Sequence, residues 1–130
     1  MLRIAAAAIV TAHGLIHLIG FVVPWGIAEV EGFAYRTAVL GGVVEFGDAG
    51  ARAIGALWLA CAVGFVVAGL GIWRRASWAL ALTAALAAVS IGLCILGLPE
   101  TVAGTAVNAA ILVGAAWIML AQSRIPSGAR

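Results

Sequence analysis

His13 and His17 stand at i and i+4 inside the apolar run 4–23. On a helix that spacing sends both imidazoles off one face, a face that also carries Ala6, Val10, Gly20 and Pro24. An ionisable side chain within a long apolar helix is costly to place, and it marks function by default. Other polar residues recur at helical spacing in later runs. Thr83, Ser90 and Cys94 form one stripe, Thr101, Thr105 and Asn108 another, and Trp58 and Cys61 lie in a third run. Counting inward at about 1.5 Å per residue puts His17 about 9 Å deep, His13 about 15 Å and Asn108 about 9 Å. Asn108 is therefore expected level with His17. Ser90, Cys94, Trp58 and Cys61 fall in the same half of the chain's apolar span.

Three kinds of chemistry fit this set. In the first, His13, His17 and Asn108 hydrogen-bond across helices and fix their packing. In the second, His13, His17, Trp58, Ser90 and Asn108 line a pocket for a quinone or lipid-like ligand. In the third, His13 and His17 share a metal ion, and Cys94 or Cys61 completes a soft site for copper or zinc. A haem held between the two histidines is excluded, because side chains leaving one helix face cannot reach both faces of a ring. A Cys61–Cys94 disulfide is not expected, since their depths differ by about 9 Å. No serine–histidine–acid set, phosphate loop or carboxylate pair lies within the runs. The sequence thus leaves open whether the protein is an enzyme.

The elements that must position these residues are legible in the hydropathy. The chain has 130 residues, 65% hydrophobic and 9% charged, with mean hydropathy +1.21. A soluble domain is about 25% charged, so this chain has too few charges to cover its apolar surface in water. Four runs of spanning length follow, at 4–23, 51–73, 78–98 and 102–121. The links 74–77 and 99–101 are tight, which makes the last three helices antiparallel neighbours. Pro99 stops the third run. The N-terminal run lacks a clear small-residue cleavage site and is read as a retained helix rather than a signal peptide. Gly64, Gly69, Gly71, Gly92, Gly104 and Gly114 are read as close-packing positions between helices.

Charge sets the orientation. All five acids lie in 24–50 or at Glu100, while Arg3, Arg74, Arg75, Arg124 and Arg130 lie at the opposite ends of the runs. Cytoplasmic loops carry the excess of arginine and lysine, so both termini are expected in the cytoplasm and 24–50 outside. Trp73, Trp78 and Trp117 gather at the inner interface, and Trp25 anchors the outer one. The basic pI of 8.9 reflects arginines scattered at membrane edges, and no nucleic-acid partner is expected. Within 24–50, β-prone Phe33–Leu40 and Val43–Phe46 flank Gly41-Gly42, which predicts a short external β-hairpin with a two-residue primed turn. Arg36 and Glu45 are expected to meet across it. Asp48 and Arg52, at i and i+4, are expected to pair at the start of the second run.

Arg3, the apolar stretch after it, Ala12-His13-Gly14-Leu15 and Gly20-Phe21 resemble the first helix of DoxX-like small four-helix bacterial membrane proteins. The motif covers about the first 25 residues, and the four-helix plan with an arginine-bearing turn after the second helix is similar as well. This chain has His17 where the family often has a basic residue, and it lacks acids in its second helix. The resemblance implies a multi-pass protein of the bacterial inner (cytoplasmic) membrane. It also implies a role beside membrane oxidoreductases with sulfur or quinone chemistry, as a partner subunit rather than a free-standing enzyme.

Together these readings give an all-α membrane protein, a single four-transmembrane-helix bundle with an external β-hairpin between the first two helices. Its expected function is that of a small binding or accessory protein with a polar pocket in its outer half. The alternative is a subunit of a membrane oxidoreductase, or a metal-handling protein using the same histidines. Partners are membrane lipid and, left open, a homo-oligomer or a larger membrane complex. The cofactor, a metal ion or a quinone, is left open too.

Overall fold

A computed structural model describes residues 1–124; Arg130, one of the arginines used to orient the chain, lies outside the described residues. The backbone groups of so apolar a chain must satisfy one another, and the protein does this with helices. These are α1 (Leu2–Ile16), α2 (Ile19–Val22), α3 (Gly47–Trp73), α4 (Ala79–Leu96) and α5 (Val102–Ser123). Taking α1 and α2 as one span, four helices among the described residues are long and apolar enough to cross a membrane, by length and composition.

Helix α1 packs on α3, α3 on α4, and α4 on α5. Each pair is antiparallel, and glycine sets how closely the first pair approaches. A Cβ at Gly14 would lie 2.6 Å from Phe65 Cβ and 3.0 Å from the Ala62 carbonyl. A Cβ at Gly69 would lie 3.0 Å from the Ala7 carbonyl and would strike the Thr11 hydroxyl. Gly64 faces Leu86 and Gly71 faces Trp78 in the same way. The close-packing expectation fails at Gly92 and Gly114, where a Cβ would meet nothing within 4 Å, so those two glycines lie on open faces.

Phe65 is fully buried at the centre, with Val10, Ala68 and Ala87 around it and Leu86, Ile111 and Leu112 against them. Most other large apolar side chains of the helices face outward. Trp117 is 73% exposed and Val113 66%, a distribution suited to lipid rather than water.

The first span is not uniform. At His17 and Leu18 the backbone tightens: His17 N–H donates to Gly14 O and Leu18 N–H to Leu15 O, both at 3.1 Å. This i→i−3 pattern frees the His13 carbonyl, which the His17 ring then takes, Nδ1 to O at 2.9 Å. The side chain restores the bond that the 3-10 step removes. The single run expected over 4–23 is thus two helical pieces joined at the histidine.

The hairpin is shorter than expected. Only Ala38–Val39 (β1) and Val44–Glu45 (β2) pair, in the register Ala38↔Glu45 and Val39↔Val44. The connection is a 3-10 turn at Leu40–Gly42, with φ of 53°, 65° and 94° at Leu40, Gly41 and Gly42, rather than a two-residue primed turn. Phe33–Thr37 is irregular, apart from an isolated bridge between Val30 and Phe33. Helix α3 begins at Gly47, four residues earlier than the expected start at Ala51.

The expected ion pairs also differ. Arg36 lies before β1 and reaches Glu100, Nη1 to Oε1 at 2.7 Å, instead of Glu45. Glu45 turns to the start of α3, where its carboxylate accepts from Gly47 N–H at 2.9 Å, as a helix N-terminus favours. Asp48 accepts from the Tyr35 hydroxyl rather than pairing with Arg52, whose carbonyl accepts from Trp25 Nε1 at 3.1 Å. The segment between α2 and α3 thus forms a cap over one end of the bundle. Gly41 N–H to Leu98 O at 3.0 Å and the Arg36–Glu100 pair fasten it there. All five acids are at this cap end; Arg3, Arg74, Arg75 and Arg124 are at the other.

Candidate functional site

Beneath the cap is a cavity of about 330 Å³, at the small end of the range for ligand pockets. Its floor is the polar set. His13 and His17 come from the first span, Trp58 from α3, Cys94 from α4 and Asn108 from α5. Arg36, Thr37 and Glu100 stand at its rim. Phe33, Ala34 and Arg36 also border a wider depression of about 1030 Å³ with Trp25, Tyr35, Asp48 and Arg52. Cap segment 33–36 therefore separates the cavity from an open polar face. On that face Tyr35 donates to the Asp48 carboxylate. That hydrogen bond, with the carboxylate's charge beside it, holds the Tyr35 phenol above its ordinary pKa.

The floor is a hydrogen-bonded network spanning three helices. His13 Nε2 meets Asn108 Oδ1 at 2.9 Å. Asn108 Nδ2 donates to Gly104 O at 2.9 Å and toward Cys94 Sγ at 3.8 Å. His17 Nε2 meets Ser90 Oγ at 2.6 Å. The rings also stack. His13 and His17 are edge to face at 4.7 Å, each lies 5.1 Å from Phe65, and His17 lies 5.1 Å from Trp58. A Cβ at Gly20 would fall on the Trp58 indole, so that glycine lets the indole reach His17. Burial drives this pairing, because an unpaired polar group away from water costs about 1–3 kcal/mol.

The structure brings together His13, His17, Trp58, Ser90, Cys94 and Asn108, but Ser90, expected to line the pocket, is fully buried against His17 and lies outside the cavity lining. The pairing differs from the expectation. Asn108, expected level with His17, meets the deeper His13 instead, and Ser90 takes His17. Cys61 is buried but outside the cavity lining, and both cysteines are free thiols. The proposed metal set of His13, His17 and Cys94 does not converge. Among the described residues no three histidine, cysteine or acidic side chains are grouped to hold an ion. Both His17 nitrogens are already engaged, with His13 O and Ser90 Oγ.

The 2.6 Å contact between Ser90 and an imidazole has the form of an activated nucleophile. Access decides against that role. Ser90 is 0% exposed and does not line the cavity, so no substrate reaches its hydroxyl. Sequence spacing missed Phe65, which separates the floor from the apolar core, and the rim pair of Arg36 and Glu100. Phe65 carries no polar signal, although it lies one helical turn beyond Cys61. Glu100 was visible only as a charge in a turn.

Comparison of the chain with protein-family models, curated proteins and solved structures finds no match. The likeness of its first helix to the DoxX-like proteins gains no support from these comparisons.

Proposed function

We propose that this is a small integral membrane binding protein whose cavity holds one amphiphilic, quinone- or lipid-like molecule. One observation carries the reading: a roofed apolar cavity with its few polar groups gathered on the floor by side chains of α1, α4 and α5. Pockets that orient a ligand combine apolar walls with a few convergent polar atoms in this way. Packing alone requires the polar pairs but not the empty space above them.

In sequence, five of the seven arginines lie at the end without acids, while Arg36 and Arg52 join the five acids at the cap, and this excess supports cytoplasmic termini and an outward-facing cap. By this orientation the cavity lies in the outer half of the bilayer. The protein then acts as an accessory that presents or stores its ligand for a membrane partner.

The test is extraction of the detergent-purified protein, with mass spectrometry of the extract and elemental analysis of the protein. One amphiphile near one-to-one stoichiometry is expected, reduced in Ala103→Trp, which places bulk against the cavity. An extract containing only bulk lipid in its ordinary proportions would sink the proposal. A stoichiometric metal would replace it with the metal-handling alternative.

A further inference from the structure

The directions of the hydrogen bonds on the cavity floor define what kind of head group fits; this inference rests on the cavity reading above. The Gly104 carbonyl can only accept, so the Asn108 atom 2.9 Å from it is the amide nitrogen. That turns Oδ1 toward His13. An amide oxygen also only accepts, so His13 Nε2, 2.9 Å away, carries the proton. The same logic applies to His17. Its Nδ1 faces the His13 carbonyl at 2.9 Å and must donate, which leaves Nε2 to receive the Ser90 hydroxyl at 2.6 Å. The network is complete with both rings neutral, and no carboxylate lies among these partners to balance a further proton.

One polar atom is left over. His13 Nδ1 is then a bare lone pair, and no protein group hydrogen-bonds to it. Nor is it sealed in the protein. Among the described residues, the buried side-chain nitrogen or oxygen lacking a partner is Arg3 Nε, at the far end of the bundle. His13 lines the cavity. Beside His13 on the floor little is offered to a carbonyl, since both amide hydrogens of Asn108 are directed at Gly104 O and Cys94 Sγ and a thiol is a weak donor. Other donors of the lining are the Trp58 indole N–H and, at the rim, Thr37 and Arg36.

We infer that the cavity selects an amphiphile whose head donates a hydrogen bond, a hydroxyl or N–H, to His13 Nδ1, and disfavours the same head as a carbonyl. For a quinone-like ligand the bound form is the hydroquinone. A carbonyl would set its lone pairs against the imidazole's, losing one hydrogen bond and adding repulsion. The hydroquinone is therefore preferred by about tenfold or more.

The experiment is calorimetric titration of the full chain in detergent under anaerobic conditions. The probes are decyl hydroquinone and decyl benzoquinone, which share ring and tail. The second protein is His13→Gln, whose side-chain amide can both donate and accept. Tighter binding of the hydroquinone by tenfold or more, reduced to near parity in His13→Gln, is the expected result. Equal or tighter binding of the benzoquinone by the unaltered protein overturns the head-group assignment and leaves the cavity reading standing. A preference unchanged in His13→Gln also overturns it, since another group then sets the selectivity. If neither compound binds the unaltered protein, the inference is overturned for quinone-like heads, and the extraction experiment decides the cavity reading separately.

Discussion

The two ends of the bundle solve the same packing problem differently. At the end bearing Arg3 and Arg74, α1 and α3 close through small residues, with Gly69 against Ala7 and Thr11, and Gly71 takes Trp78 of the neighbouring α4. At the cap end the helices stand far enough apart to leave a cavity, and long polar side chains bridge them: His13 to Asn108 and His17 to Ser90. Phe65 sits at the border, fully buried, touching both histidine rings on one side and Val10 and Ala68 on the other. In lipid no hydrophobic force presses helices together. Close backbone approach holds one end, and directional bonds hold the other. Only the directional solution leaves room for a ligand.

Removing the border residue should have the largest effect. Phe65→Ala is expected to cost about 3–5 kcal/mol by cavity formation. Thermal unfolding in detergent measures this, and a loss under about 1 kcal/mol would show that the two ends do not share a core. Next comes the close-packed end. Gly69→Leu places a side chain against the Ala7 carbonyl and Thr11 and should cost about 1–3 kcal/mol. Gly114→Ala, on an open face, should stay within about 0.5 kcal/mol. Equal effects from the two glycines would remove the packing half of the contrast.

The bridged end should respond less steeply. A double-mutant cycle of His13→Ala and Asn108→Leu, read by unfolding in mixed micelles, should give a coupling of about 0.6–1.7 kcal/mol. Zero coupling would mean that the bridge does not hold α1 to α5. The rim pair is weaker still. Arg36 is 54% exposed, so Arg36→Gln or Glu100→Gln should cost about 1 kcal/mol or less, and raising the salt should erase the difference. A salt-independent loss would show that the cap depends on this pair more than its exposure allows.

The smallest effect concerns pH. The Asp48 carboxylate holds the Tyr35 phenol above its ordinary pKa, so the folded protein binds that proton more tightly than the unfolded chain does. The resulting stabilisation is complete below the unfolded value of about 10. It is lost as pH rises through the folded value. Ultraviolet titration should show Tyr35 ionising late, and Asp48→Asn should bring it back. An unchanged midpoint in Asp48→Asn would break the assignment.

Sequence periodicity and charge placement determined the four apolar spans, the gathering of all five acids at one end of them, and the candidate residues His13, His17, Trp58, Ser90, Cys94 and Asn108. These are local properties: a span is a run of apolar residues, and a stripe is a spacing along one helix. Partner choice is not local, and the tertiary structure alone decided it. Asn108 meets His13 rather than His17, whose ring is taken by the His13 carbonyl and Ser90 of another helix. Arg36 finds Glu100, far along the chain, because the cap folds back over the α4–α5 turn, while Glu45 is drawn to the start of α3. The cavity, too, belongs to the assembled bundle. Empty space arises where helices diverge, and no residue type encodes it.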